Sequence, residues 1–357
     1  MAIASAEGVG NRRLIDLIRL FKTPEAILSA PARELAQALS VPLNVGQAVV
    51  KAGREMSVQE KILDKTEAWG GRLITLWDET YPLRLKAIPD PPALLFIKGA
   101  DSPLFNYAIA VVGTRAPSDH AGKVAFRMGA ELAASGITVV SGMALGIDSI
   151  AHNGALQSGG RTLAVLGSGL DVIYPPSNKR LYEQIASQGA ILTEHALGVK
   201  PDPYHFPRRN RIISGISLGV VVVEAGLKSG ALITARLALE QSRELFAVPG
   251  PAGSSRNAGT NRLIKDSAAH MVENAQEVIE HLRSQLSPVL NVAVTLALPQ
   301  LSEIEAKLYN LLENGTLLVD ELIQKSGLSA MEVNRLITSM QLKGLLRRYT
   351  GGRVGRA

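Results

Sequence analysis

Two hydrophobic periodicities divide the chain. Near its start, Leu14, Ile15, Leu17, Ile18 and Phe21 recur at helical spacing between Asn11 and Phe21, the stripe of an amphipathic helix. Thr23-Pro24 opens a second helix, because Thr can cap it and Pro fits its first turn. Further helices are predicted from Pro31 to Leu39 and from Val45 to about Trp69. The first strand pattern is Leu73 to Trp77. Residues 1–72 thus read as a small all-α domain.

A proline-rich stretch, with Pro82, Pro89, Pro91 and Pro92, leads into a short strand at Ala93 to Gly99. From Ala108 the pattern changes. Apolar runs at Ala108 to Val112, Ile137 to Val140, Thr162 to Leu166, Ala190 to Thr193, Leu218 to Val223 and Leu245 to Val248 are each followed by a helical stretch. Runs without alternation are strands buried on both faces. Strands alternating with helices make βαβ units and a mainly parallel sheet. The expected fold class is therefore α/β, with a Rossmann-like core over residues 73–285. In such sheets a ligand sits outside the carboxyl ends of the strands.

Residues 286–300, with Pro288 and Pro299, read as a linker. Beyond it come helices at Glu303 to Leu312, Val319 to Lys325 and Ala330 to Lys343, then a strand and hairpin over Gly344 to Gly352. That order is a winged helix-turn-helix, assigned to residues 301–357.

A chain of 357 residues has room for these modules. With 46% hydrophobic and 20% charged residues it can bury a large core. It has no cysteine, which excludes disulfides and thiolate zinc sites and points to a reducing, cytoplasmic setting. Met1 to Gly10 lacks a basic segment followed by an apolar one, and no stretch approaches about 18 apolar residues, so neither a secretory leader nor a membrane span is expected. Net charge is +6, which permits a polyanionic partner without demanding one. Aromatics are only 4%, so nucleic-acid binding would rest on phosphate contacts more than on a long stacking groove.

The strand ends carry glycine loops: Gly113-Thr114-Arg115, Ser141 to Asp148 with Gly142 and Gly146, Gly167-Ser168-Gly169-Leu170-Asp171, and Glu224-Ala225-Gly226. Glycines let backbone N–H groups approach a ligand, and the helix N-termini that follow favour negative charge. Some of these glycines can equally serve tight turns. Cations fall at the same edge: Arg115, Lys179 after Tyr174-Pro175, and Arg208, Arg209 and Arg211 around Asn210. Members of that arginine cluster could instead pair with Asp148, Asp171, Glu194 or Glu224.

Neither a Gly-x-Gly-x-x-Gly fingerprint nor a Gly-Lys-Ser/Thr phosphate loop is present, so no nucleotide cofactor is expected. His120, His152, His195, His205, His270 and His281 show no metal-ligand spacing, and no Gly-x-Ser-x-Gly elbow occurs. The sequence gives no catalytic constellation, and no metal is expected.

The motifs together resemble those of the DNA-processing protein A (DprA/Smf) family. They are Gly113-Thr114-Arg115; Ser141 to Asp148; Gly167 to Pro175; Phe206-Pro207-Arg208-Arg209-Asn210-Arg211 to Gly215; Val223-Glu224-Ala225; Ser229 to Ala235; and Ala247-Val248-Pro249-Gly250. They run in order over about half the chain. The helical N-terminal segment resembles SAM-like and helix-hairpin-helix modules, and the C-terminal module resembles the family's winged helix. The resemblance implies a non-catalytic protein that binds and shields single-stranded DNA, helps load RecA during natural transformation, and forms a homodimer through its core. It places Arg115, Lys179, Arg208, Arg209 and Arg211 in the DNA pocket. Two departures stand out: Ser267-Ala268 replaces a Gly-Ala late in the core, and Glu194 to Gly198 replaces a more proline-rich loop. The rival readings are a nucleotide hydrolase of a related Rossmann-like fold, and a RecA-docking adaptor whose DNA binding is incidental.

Overall fold

Strands that are apolar on both faces need cover on both sides, and the tertiary structure supplies it. The computed structural model describes residues 1–100, 103–288, 302–312, 315–342, 346–349 and 352–356. It separates into two compact units, Met1–Leu290 and Asn291–Ala357.

The first unit opens with helices α1 (Ala2–Ser5), α2 (Asn11–Phe21), α3 (Pro24–Ser29), α4 (Ala32–Ala38), α5 (Leu43–Arg54) and α6 (Met56–Ala68). Thr23 caps α3, its side chain accepting from the Ala26 N–H at 3.2 Å, with Pro24 in the first turn. Leu14, Leu17, Ile27, Leu35, Val45 and Val49 form the bundle's own core. The stretch expected to be one helix from Val45 is two, broken at Glu55.

Among the described residues the sheet has nine strands: β1 (Gly71–Thr75), β2 (Leu94–Gly99), β3 (Ala108–Val112), β4 (Thr138–Ser141), β5 (Thr162–Val165), β6 (Ala190–Thr193), β7 (Gly219–Val222), β8 (Glu244–Ala247) and β9 (His270–Met271). Strand β1 starts before the expected Leu73, because its antiparallel pairing with β2 runs from Gly71 opposite Lys98 to Thr75 opposite Leu94. The spatial order is β1-β2-β6-β5-β4-β3-β7-β8-β9. Strands β3 to β9 are mutually parallel.

Between these strands lie α7 (Leu83–Lys86), α8 (Pro103–Asn106), α9 (Asp119–Ala134), α10 (Ile147–Gln157), α11 (Lys179–Gln188), α12 (His205–Ile216), α13 (Ala231–Glu240) and α14 (Ala258–Lys265), with α15 (Ala275–His281) after β9. Alternate residues of β3 enter different cores. Ala108, Ala110 and Val112 pack with Ile212 and Ile216 of α12 and Ala235 of α13. Ile109 and Val111 pack with Met128 and Leu132 of α9, Ala151 of α10 and Val278 of α15. This two-sided burial explains the unalternating apolar runs.

The chain steps from β3 through β4 and β5 to β6 in one direction, then returns to lay β7 on the other side of β3. The gap between the carboxyl ends of β3 and β7 is thus the topological switch point, where open α/β sheets bind ligands. Among the described residues no helix is long and apolar enough to cross a membrane.

The second unit has helices Glu303–Leu311, Val319–Ser326 and Ala330–Leu342 and a three-stranded sheet of order β10-β12-β11 (Leu317–Leu318, Arg353–Arg356, Leu346–Tyr349). Ser302 and Glu305 form a capping box on its first helix. Leu308, Leu322, Val333, Ile337, Met340, Leu346 and Val354 fill its core. This is the winged-helix order expected from the sequence. Lys343, and residues 289–300 of the expected linker, lie outside the described residues.

Candidate nucleic-acid interface

A cavity of about 790 Å³ opens at the switch point. Gly113, Thr114 and Arg115 line it from the end of β3, and Glu224, Gly226 and Lys228 from the end of β7. Helix α12 contributes Phe206, Arg209 and Asn210, and Tyr174 comes from the loop after β5.

Arg115 is exposed, with no carboxylate partner among the described residues. Its guanidinium lies over the Phe206 ring, 5.7 Å from the centroid, a cation–π arrangement that leaves its N–H groups available. Phe206 also lies 5.7 Å from Tyr174. Tyr204, just before α12, is 82% exposed. Cations and aromatic faces therefore share one rim.

Lys179 is exposed at the first residue of α11. It does not line the cavity itself. Its neighbour Asn178 donates to the Met143 carbonyl and to Ser149 Oγ, each at 2.8 Å, which fixes the start of α11 against the loop after β4. Arg208 is exposed on α12, also outside the cavity lining.

The other two arginines of the cluster are buried and bonded within the protein. Arg211 is buried and bonds to Glu194 at 2.8 Å and Asp90 at 3.1 Å. Those two carboxylates raise its pKa against the opposing effect of burial. Asp90 also accepts from Asn11 at 2.8 Å, so the network ties α2 to the end of β6. Arg209 is 4% exposed. It donates to the Gly142 carbonyl at 2.6 Å, to the Val165 carbonyl, and to Asn210 Oδ1 at 3.1 Å. Burial lowers its pKa to about 10, with Asp148 opposing and Arg115 adding to the fall. The split follows from what packs against each side of α12, since Arg209 and Arg211, two residues apart, reach different partners. Arg208 is exposed, Arg209 reaches the ends of β4 and β5, and Arg211 reaches Glu194 after β6 and Asp90.

The glycines make close approaches within the protein. A Cβ on Gly142 would collide with the Arg209 guanidinium, and the Gly142 N–H already donates to Asp148 at 3.1 Å. Gly146 has φ +80° and presses on the Thr114 and Arg115 backbone, a conformation and a proximity that favour glycine. Gly113 is crowded by Ile147, Gly167 by Phe206, and Gly169 by the Ala196 carbonyl. These glycines let protein parts close on one another. Of the five, only Gly113 faces the cavity.

The lining carboxylates are similarly engaged. Glu224 is buried and accepts from the Ser118 N–H at 3.0 Å and Ser118 Oγ at 2.6 Å. Asp148 accepts from the Gly142 and Ala144 N–H groups. Burial raises its pKa, and Arg209 opposes the rise.

Two cavity cations escaped the sequence reading. Lys228 lies four residues past Glu224, and the strand-end rule applied to that loop would have found it. Arg256 comes from the long loop after β8 and donates to the Ala116 carbonyl at 2.8 Å. No local pattern marks it.

Fold and site together define a doubly wound α/β protein with a cationic, aromatic-edged crevice at its switch point and a separate winged-helix unit. The family model for DNA recombination-mediator protein A matches residues 72–283, and that for the DprA winged helix domain matches 294–352. The chain belongs to the DprA/Smf family of DNA-processing proteins. It is similar to Protein Smf of Escherichia coli, 38% identical over 318 residues, 87% of this chain and 85% of that one. It is similar to the DNA processing protein DprA of Streptococcus pneumoniae, 43% identical over 57% of this chain and 72% of that one. The solved structure of the S. pneumoniae protein matches with a TM-score of 0.69, 33% identity, and coverage of 78% of this chain and 95% of that one. That of DNA processing protein A from Helicobacter pylori, described for its single-stranded DNA binding mode, matches with a TM-score of 0.54 and 32% identity over 60% of this chain and 96% of that one.

Proposed function

We propose that this protein binds single-stranded DNA non-catalytically along the rim of the β3–β7 crevice, in the cytoplasm, shielding the strand and helping to load RecA onto it during transformation or recombination. The observation that carries the reading is the exposed Arg115 side chain, free of carboxylates among the described residues and set beside Phe206 and Tyr174 at the switch point. The single-stranded DNA binding of the H. pylori relative supports it.

In this reading Arg115, Lys179, Arg208 and Lys228 neutralise phosphates, and Asn210 and Gly113 line the path. Arg209, Gly142, Gly146, Gly167 and Gly169 hold its wall. Tyr174 and Tyr204 offer faces on which bases stack, a mode indifferent to sequence. One crevice grips only a few nucleotides, so a homodimer through the core would gain avidity by engaging one strand twice. The winged helix exposes Arg347 on its wing strand and serves nonspecific DNA contact or partner docking. Asp148 and Glu224 are committed to backbone and serine donors, which favours binding over hydrolysis.

The test is an electrophoretic shift with single- and double-stranded oligonucleotides at two salt concentrations, RecA absent. Preferential, salt-sensitive retention of the single strand is expected. Equal retention of both strands, or none, overturns the reading. Release of base or phosphate from incubated nucleotides would favour the hydrolase instead.

A further inference from the structure

Outside the crevice lining, three side chains converge that the sequence keeps well apart. Glu244 opens β8, His270 opens the edge strand β9, and His281 ends α15. Glu244 Oε2 lies 3.6 Å from His270 Nε2 and 3.4 Å from His281 Nε2. The three ligand atoms lie within 4.8 Å of one another. The two imidazoles stand 4.0 Å apart, and Phe246 backs both, its centroid 5.9 Å from His270 and 5.3 Å from His281.

These spacings suit a common central ion. Ligands about 2.0–2.1 Å from a tetrahedral zinc stand roughly 3.3 Å from one another. The two carboxylate–imidazole separations are close to that edge length, so small rotamer shifts would complete the set. Without an ion, a single carboxylate oxygen faces two ring nitrogens, and it can accept from both only if each carries a proton. A divalent cation satisfies all three groups at once.

We infer that Glu244, His270 and His281 form a surface site for a borderline divalent ion, zinc above all, with cobalt and nickel as substitutes. Two nitrogens and one carboxylate oxygen suit such ions better than magnesium or calcium, which prefer all-oxygen shells. All three side chains reach solvent, at 41%, 55% and 36% exposure, so the ion can enter and water can fill the remaining position. The site would clamp the end of the sheet. Strand β9 has only two residues, paired to β8 at Phe246–His270 and Ala247–Met271, and the ion would bind that edge to both β8 and α15. The inference is independent of the crevice and of DNA binding.

The test is titration of the chelator-stripped full-length protein with cobalt, read by visible absorption, and with zinc, read by calorimetry and thermal melting. One equivalent is expected, with intense cobalt bands of low coordination number and a melting temperature raised by zinc. His270→Gln and His281→Gln should each weaken zinc by at least about 100-fold, the upper end of what losing an outer-shell partner costs. They should also abolish the zinc-dependent rise in melting temperature. Both positions are solvent-exposed, and circular dichroism without metal checks that each variant folds. Absence of stoichiometric binding, or unchanged affinity in either folded variant, overturns the site.

Discussion

Arg209 and Gly142 hold each other in place: the guanidinium donates to the Gly142 carbonyl at 2.6 Å and occupies the space that a side chain there would fill. The same guanidinium reaches the Val165 carbonyl, so one buried cation from α12 fastens the ends of β4 and β5 beneath the crevice wall.

This bracket makes Arg209 a stability residue. Arg209→Ala would leave buried Asp148 without its cation and two strand-end carbonyls without their donor. Leaving a buried acceptor unsatisfied costs about 1–3 kcal/mol, and a loss of at least that size is expected in urea unfolding. Gly142→Ala should destabilise in the same direction by displacing the guanidinium. Wild-type midpoints in both variants would refute the bracket.

Arg115 and Lys228 should behave in the opposite way, because both are exposed and neither is paired with a carboxylate among the described residues. Arg115→Glu, Lys179→Glu and Lys228→Glu are expected to weaken oligo-dT binding while leaving the urea midpoint unchanged. Each alanine variant should lower the slope of log K against log salt by about 0.7, the value for one phosphate contact on a single strand. Unaltered slopes in Arg115→Ala and Lys228→Ala would place the DNA elsewhere.

Tyr204 is 82% exposed on the approach to α12, with little packing to lose. If a base stacks there, Tyr204→Ala should reduce single-strand affinity by about 1–3 kcal/mol, and Tyr204→Trp should preserve it. Anisotropy with a labelled oligonucleotide reads both. Equal affinity in wild type and Tyr204→Ala would remove this ring from the interface.

His152 predicts a pH dependence of folding. It is fully buried on α10, with Nδ1 2.6 Å from Thr162 Oγ1 and Nε2 without a partner among the described residues. Burial, and secondarily Arg209, lowers its pKa from 6.5 to about 3. The folded state therefore binds fewer protons than the unfolded state between those values, and stability rises with pH through that window. The contribution is complete above about pH 6.5 and disappears as pH falls toward 3. From pH 7 to pH 5 it amounts to about 2 kcal/mol. His152→Gln should flatten the fall in urea stability over that interval by this amount. A variant that tracks the wild type would show that the ring titrates normally.

Much of the architecture was written in local patterns. The apolar strand runs, the Thr23-Pro24 helix start and the order of the C-terminal helices and wing follow from short-range periodicity and capping, which the folded chain keeps. Strand-end placement also put Arg115 on the carboxyl edge, because a parallel sheet carries every strand's following loop to the same side.

The sequence by itself determined the element order and the gathering of glycine loops and cations at the carboxyl edge. Only the tertiary structure decided which cations remain available. Arg208, Arg209 and Arg211 are neighbours in sequence, yet one faces solvent and two are locked by Gly142, Glu194 and Asp90, since helical rotation and burial depend on what packs against α12. Folding also brought Arg256 to the crevice, and Glu244, His270 and His281 to one another. Such meetings join residues from separate strands and loops, and no periodicity along the chain encodes a distance across the sheet.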